Sequence, residues 1–207
     1  MPSGWASSVV WEKELEQDGL HGKLGRIIVT YAERSMCFPF ALWLPEDAKG
    51  PVPCTIQISC HDPVAHDQMN GLDPALQDCF MTMMKELVGN EEHFNTMLAD
   101  MTAPKVSNTL DITCDVRQLL ADGYAAAAFY ASSLAPDGDE SWKQKDLYPL
   151  FYGTAERPSH GFGCLAAWAF GAQRVLDALL TCPEIDPSRI SVAGHSRAGK
   201  AALWAAV

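Results

Sequence analysis

The chain has no run approaching the roughly 18–20 apolar residues of a membrane-spanning helix, which excludes a helical span. Its first residues, MPSGWASSVVWEKELE, lack the basic start and apolar block of a secretory signal, so no export signal is visible. A clipped N-terminus would leave the same trace. Cysteine is present seven times (37, 54, 60, 79, 114, 164, 182), but the number is odd and no C-x-x-C pair occurs. That excludes a zinc ribbon and a simple disulfide framework. Several fall inside apolar patterns, as in CTIQISC, and read as buried free thiols of a reducing compartment. The cytoplasm is the expected location. Basic residues are also scarce: 15 Lys and Arg stand against 26 Asp and Glu, a net charge of −11. Such a balance argues against nucleic acid and anionic membrane surfaces as partners.

What is present is the composition of a soluble globular protein, 48% apolar and 20% charged over 207 residues. That length makes one domain or most of one. Leu24–Tyr31 (LGRIIVTY) and Phe38–Leu44 (FPFALWL) read as strands, the second on an edge because Pro39 lacks a donor. Cys54–Cys60 reads as a third. Asp73-Pro74 starts a helix whose apolar face is Leu76, Phe80, Met83 and Leu87, and Gly89-Asn90 stops it. Glu91–Met101 is a second helix, and the pair holds five of the eight methionines. It is either a packed hairpin or a cap, in which pliable Met side chains would wall an active site. Thr113–Asp122 is a short helix closed by Gly123. Tyr124–Tyr130 (YAAAAFY) has the continuous apolar pattern of a parallel strand buried on both faces. Ala135–His160 reads as a long polar loop with Trp142, Phe151 and Tyr152 embedded. Gly163–Cys182 is the clearest helix, its apolar residues keeping a 3.6 period, with Arg174 and Asp177 spaced to pair.

The chain ends on RISVAGHSRAGKAALWAAV. A short strand, about Arg189–Ala193, runs into a turn at Ser196 and then an Ala-rich helix. Gly194 stands two residues before the serine, Ala198 two after, and Gly199 three after. Small residues at those flanks are what a serine on a strained strand-to-helix turn requires, because the backbone crosses close on both sides. The N–H groups at the head of the helix then face a developing oxyanion. This is a nucleophile elbow with its second small position filled by Ala. Arg197 and Lys200 lie in the first helical turn, where cations oppose the helix dipole. They are expected to meet an anion in the cavity of the Ser196 hydroxyl; the alternative is that both point to solvent. The same stretch also fits G-x-x-x-x-G-K, the phosphate-binding loop of nucleotide-binding proteins. Against that stand Ala201, where a metal-holding hydroxyl belongs, and the lack of a following strand with an acidic residue.

Strand and helix alternate toward the elbow. The expected fold class is α/β: the N-terminal portion of an α/β-hydrolase fold, with a mixed, mostly parallel sheet and flanking helices. Residues 1–207 then form a single, incomplete hydrolase domain with a helical insertion at about 73–101.

From Gly163 onward the chain resembles the glucuronoyl esterase family and bacterial relatives labelled acetylxylan esterases. The resemblance rests on G-x-S-R-x-G-K (Gly194, Ser196, Arg197, Gly199, Lys200), preceded by Ala167-Trp168-Ala169, Gly171, Arg174 and Asp177. It implies hydrolysis of a carbohydrate carboxylic ester through an acyl-enzyme, with no cofactor and no metal. It implies Ser196 as nucleophile and Arg197 as oxyanion donor, by its backbone N–H and, as an open option, its guanidinium. Lys200 is similar to a lysine that contacts the hydroxyls of a uronic acid ester. Hydrolases of this fold place the acid and the histidine after the serine. All six histidines here (21, 61, 66, 93, 160, 195) precede Ser196, and nothing ionisable follows Lys200. Two readings stay open: an esterase whose sequence is C-terminally incomplete, with little turnover as it stands, or a non-catalytic hydrolase-fold protein that binds acidic sugars.

Overall fold

A computed structural model describes residues 1–17, 19–60, 82, 85, 86, 88–102, 109–111, 114–137, 147–153, 155 and 157–207. The chain divides into two units: residues 1–64 with 109–207, and residues 65–108.

The first unit is built on a six-stranded sheet. Its strands are β1 (Trp5–Gln17), β2 (Leu20–Tyr31), β3 (Arg34–Trp43), β4 (Val52–Ser59), β7 (Ala125–Tyr130) and β8 (Ile185–Ala193). The order across the sheet is β1-β2-β3-β7-β4-β8. Two short strands, β5 (Thr109–Asp111) and β6 (Cys114–Asp115), pair separately. β1 to β3 form an antiparallel meander whose second hairpin turns on Ala32-Glu33, and β3 continues antiparallel onto β7. β7, β4 and β8 run parallel. The sheet is mixed, as expected, but three of its five ladders are antiparallel, so the described strands are not mostly parallel. β7 is likewise parallel on one side only.

β3 is internal, contrary to the edge position expected from Pro39. The register explains how Pro39 is tolerated. The β7 ladder covers Phe40–Trp43, so Pro39 stands just outside it, with β2 as its neighbour.

β7 is buried on both faces, and alternation sends its side chains to two cores. Ala125, Ala127 and Phe129 join Phe38, Phe40, Ile56, Ile58, Trp168 and Val175. Ala126 and Ala128 join Leu15, Trp43 and Val116. Helices therefore flank the sheet on both sides. α2 (Val116–Ala121) packs on the second core, its first turn capped by Asp115, which accepts from the backbone N–H of Arg117 and Gln118. α3 (Leu147–Tyr152), α4 (Cys164–Leu179) and α5 (Ser196–Ala205) pack on the first. Each large apolar side chain buried there contributes about 1.5–3 kcal/mol.

α3 corrects the expectation of one long polar loop over 135–160: LYPLFY is helical, with Leu147, Tyr148, Leu150 and Phe151 buried. α4 sits close to the sheet because Gly171 faces Phe129; a Cβ there would stand 2.8 Å from the ring and 3.1 Å from Leu134. Arg174 and Asp177 pair at 2.6 Å as their spacing predicts, and the guanidinium lies over the rings of Trp5 and Phe170. Cys37, Cys54, Cys60, Cys164 and Cys182 are free thiols. Cys54 and Cys182 are buried as expected, Cys164 is half-buried, and Cys37 and Cys60 are exposed. Cys37 lies near the hairpin end of β3, where the strand begins outside the β7 ladder.

In the second unit, α1 (Glu91–Thr102) matches the expected helix. Asn90 accepts from the His93 N–H at 3.0 Å, and Glu91 and Glu92 suit the dipole at its start. Gly89, at φ +63, provides the chain reversal ahead of it. The helix expected from Asp73 starts outside the described residues.

Candidate active site

β8 runs parallel beside β4, with Cys54 opposite Ile190 and Gln57 opposite Ala193. Beyond Ala193 the chain turns through Gly194 and His195 into α5. His195 is still extended (φ −105°, ψ 146°), and Ser196 is the first helical residue, at φ +53. That is left-handed backbone for a non-glycine residue, a strain of about 1–3 kcal/mol that the surroundings must impose. They do so by close packing. A Cβ on Gly194 would stand 2.6 Å from the carbonyl of Ala198, and one on Gly199 would stand 2.9 Å from the carbonyl of Gly194. Ala198 and Ala201 are fully buried against the first core. The turn is thus clamped from beneath, while Ser196 itself is exposed.

His195 makes no side-chain cap to α5. Among the described residues no side chain accepts from the first-turn N–H groups, the arrangement that stabilises an oxyanion. The strand that feeds the serine, expected at Arg189–Ala193, begins at Ile185.

Arg197 is exposed, and its Nη1 donates to Asp137 Oδ1 at 2.7 Å. Lys200, one turn on, is also exposed. Asp137 escaped sequence reasoning. It stands 60 residues from Arg197, and its one sequence signal was the Pro-Asp-Gly triplet after a buried strand. Cys164 lies near the pair. Burial pushes its thiol up to about 11, Asp137 adds to the rise, and Arg197 opposes it. The sulfur therefore stays protonated at neutral pH and does not compete as a nucleophile.

Among the described residues the Ser196 hydroxyl has no hydrogen-bond partner. His21, His93, His160 and His195 are described, and none is bonded to it; His61 and His66 lie outside the described residues. Among the described residues there is no group of three or more His, Cys, Asp or Glu that could hold a metal ion. Ala201 is packed in the core, where a phosphate-binding loop needs its metal-holding hydroxyl.

A shallow cleft of about 370 Å³ lies at the other end of the sheet, where β2 begins and β3 ends, lined by Glu14, His21, Lys23, Leu44 and Glu46. Nearby, Lys23 pairs with Glu184, whose second oxygen accepts from Cys182 at 3.0 Å.

A strained serine turn between a parallel strand and a helix, on a mixed sheet with helices on both faces, defines an α/β-hydrolase fold. The chain belongs to the glucuronoyl esterase family: a family model described as glucuronyl esterase, fungi, matches residues 88–207. A carbohydrate esterase of an unknown prokaryotic organism is 26% identical over 166 residues, 79% of this chain and 36% of that protein. A 4-O-methyl-glucuronoyl methylesterase of Wolfiporia cocos is 36% identical over 107 residues, 50% of this chain and 25% of that protein. In fold, the chain is similar to a glucuronoyl esterase structure from Solibacter usitatus, with TM-score 0.63 and 24% identity over 99% of this chain and 49% of that one. The chain spans only a quarter to a half of the length of these proteins.

Proposed function

We propose that the protein is a serine carboxylic-ester hydrolase acting on carbohydrate esters, in the first place glucuronoyl esters of plant polysaccharide. The observation that carries this reading is Ser196 at φ +53, exposed at the head of a helix that its N-cap His195 leaves without a side-chain cap. Ser196 Oγ attacks the ester carbonyl, and the negative charge on its oxygen is met by first-turn N–H groups, that of Arg197 among them. Collapse releases the alcohol and leaves an acyl-serine. Water then cleaves it to the free acid and regenerates the hydroxyl. Both steps need a base to take and return a proton, and among the described residues no histidine is bonded to the Ser196 hydroxyl. Lys200 contacts sugar hydroxyls of the uronate. The names of the relatives, a carbohydrate esterase and a glucuronoyl methylesterase, support the substrate class.

The test is hydrolysis of benzyl glucuronate and of an aryl acetate. Ser196→Ala is expected to lower kcat at least about 10³-fold on both. Lys200→Ala is expected to raise KM for the uronate ester and to leave the aryl acetate unchanged. Unchanged turnover by Ser196→Ala would refute the proposal. One observation favours a second reading, a non-catalytic binder of acidic sugars: no described base stands at the Ser196 hydroxyl. Saturable glucuronate binding without turnover by the wild-type protein would select it.

A further inference from the structure

Arg197 was expected as an unpaired cation awaiting an anion, but the structure gives its guanidinium a carboxylate. Asp137 is presented from the segment that leaves β7, the strand two places from β8 in the sheet. That segment is fixed by bonds to α4 and to β7. The indole Nε1–H of Trp168, a fully buried side chain, donates to the Ala135 carbonyl at 2.8 Å. The Cys164 thiol faces the carbonyls of Ala135 and Pro136 at 3.6 and 3.4 Å. Ser133 Oγ donates to the Tyr130 carbonyl at 2.6 Å, and Leu134 and Ala135 are buried. The carboxylate is therefore held on a rigid base, whereas Arg197 is a long side chain with its tip in solvent.

An exposed Asp–Arg pair adds little to stability. Its consequence here is directional. One guanidinium N–H is committed to Asp137, and four remain in a fixed plane on the residue that follows the nucleophile. We propose that Asp137 is a positioning residue: it orients the Arg197 guanidinium, from across the sheet, toward the charge that develops on the substrate carbonyl when Ser196 attacks. The proposal rests on the esterase reading. It assigns Asp137 no contact with substrate, and its effect passes through Arg197. A preset guanidinium loses less rotamer freedom as the oxyanion forms, which lowers the barrier without changing ground-state binding.

The experiment pairs a spectroscopic and a kinetic readout on the same proteins. In ¹⁵N-labelled wild type, rotation of the Arg197 side-chain NH₂ groups is expected to be slow enough to resolve their protons. Asp137→Asn should merge them, and Asp137→Glu should restore part of the splitting. The rate of Ser196 phosphonylation by a fluorophosphonate, in which Oγ displaces fluoride and a charged oxygen develops on phosphorus, is read by intact mass. Asp137→Asn is expected to slow it about tenfold. Arg197→Ala should slow it further, and Asp137→Asn should add nothing on the Arg197→Ala background. A fold defect would add instead, so additive losses overturn the proposal. So do guanidinium signals that Asp137→Asn leaves unchanged. A wild-type protein whose Ser196 does not label defeats the esterase reading and the proposal with it, while a labelled wild type indifferent to Asp137→Asn defeats the positioning role alone.

Discussion

Ser196 holds the one backbone conformation in the site that a serine adopts only under constraint. Left-handed backbone costs a residue with a Cβ about 1–2 kcal/mol, and glycine almost nothing. Ser196→Gly is therefore expected to stabilise the fold by about 0.5–1 kcal/mol, after subtracting the extra unfolded-state entropy of glycine. Ser196→Ala keeps the Cβ and should leave stability nearly unchanged. Urea denaturation of the two variants checks this; equal midpoints would mean that the turn relaxes around any side chain. The strain also explains why the flanks must be small: Gly194 and Ala198 meet across the turn at distances no larger side chain allows. A residue's neighbours in sequence thus betray the serine, whereas a Pro-Asp-Gly triplet says nothing of the partner of Asp137, which lies 60 positions away.

At the level of elements, α4 depends on Gly171. Adding a methyl group there drives it into Phe129 and Leu134, side chains of the first core. Gly171→Ala is expected to cost about 1–3 kcal/mol, the usual range for overpacking, despite the better helix propensity of alanine. Chemical denaturation checks it, and a stabilised variant would mean that α4 rides higher on the sheet than described. Elements with a strong period were legible from sequence. α4 kept its 3.6 repeat, β7 its unbroken apolar run, and the elbow its small–Ser–small spacing. β1 escaped because it carries so little burial signal: of Trp5–Glu16, Leu15 alone is buried, and WEKELE reads as a solvated surface. α3 escaped because six residues around Pro149 are too few for periodicity to speak. The position of β3 escaped because Pro39 gave a correct local constraint, a missing donor, but not the length of the ladder beside it.

At the scale of the whole molecule, Lys23 and Glu184 join β2 to the start of β8 across 161 residues. Lys23, and then Cys182, hold the Glu184 carboxyl down at about 2, below its ordinary 4.5. A depressed carboxyl contributes stability that is complete above its unfolded value and is lost as pH falls from about 4.5 to about 2. Both side chains are partly solvated, so the contribution is about 1 kcal/mol or less. Glu184→Gln should flatten the acid limb of a stability–pH curve over that window. It should not abolish it, because Asp186, held to about 2 by Ser188 and Arg189, titrates in the same range. An unchanged acid limb in Glu184→Gln would show that the pair does not persist in solution. The strand order has a further consequence, in time rather than in space. β4 lies between β7 and β8, and both partners come later in the chain, the outer one about 130 residues after it. At about 5–20 residues per second of synthesis, β4 waits roughly 7 to 26 seconds for its last neighbour. Through that interval Cys54, Ile56 and Ile58 sit on a strand with an unfilled side, and a nascent chain has to be shielded for as long as the sheet stays open there.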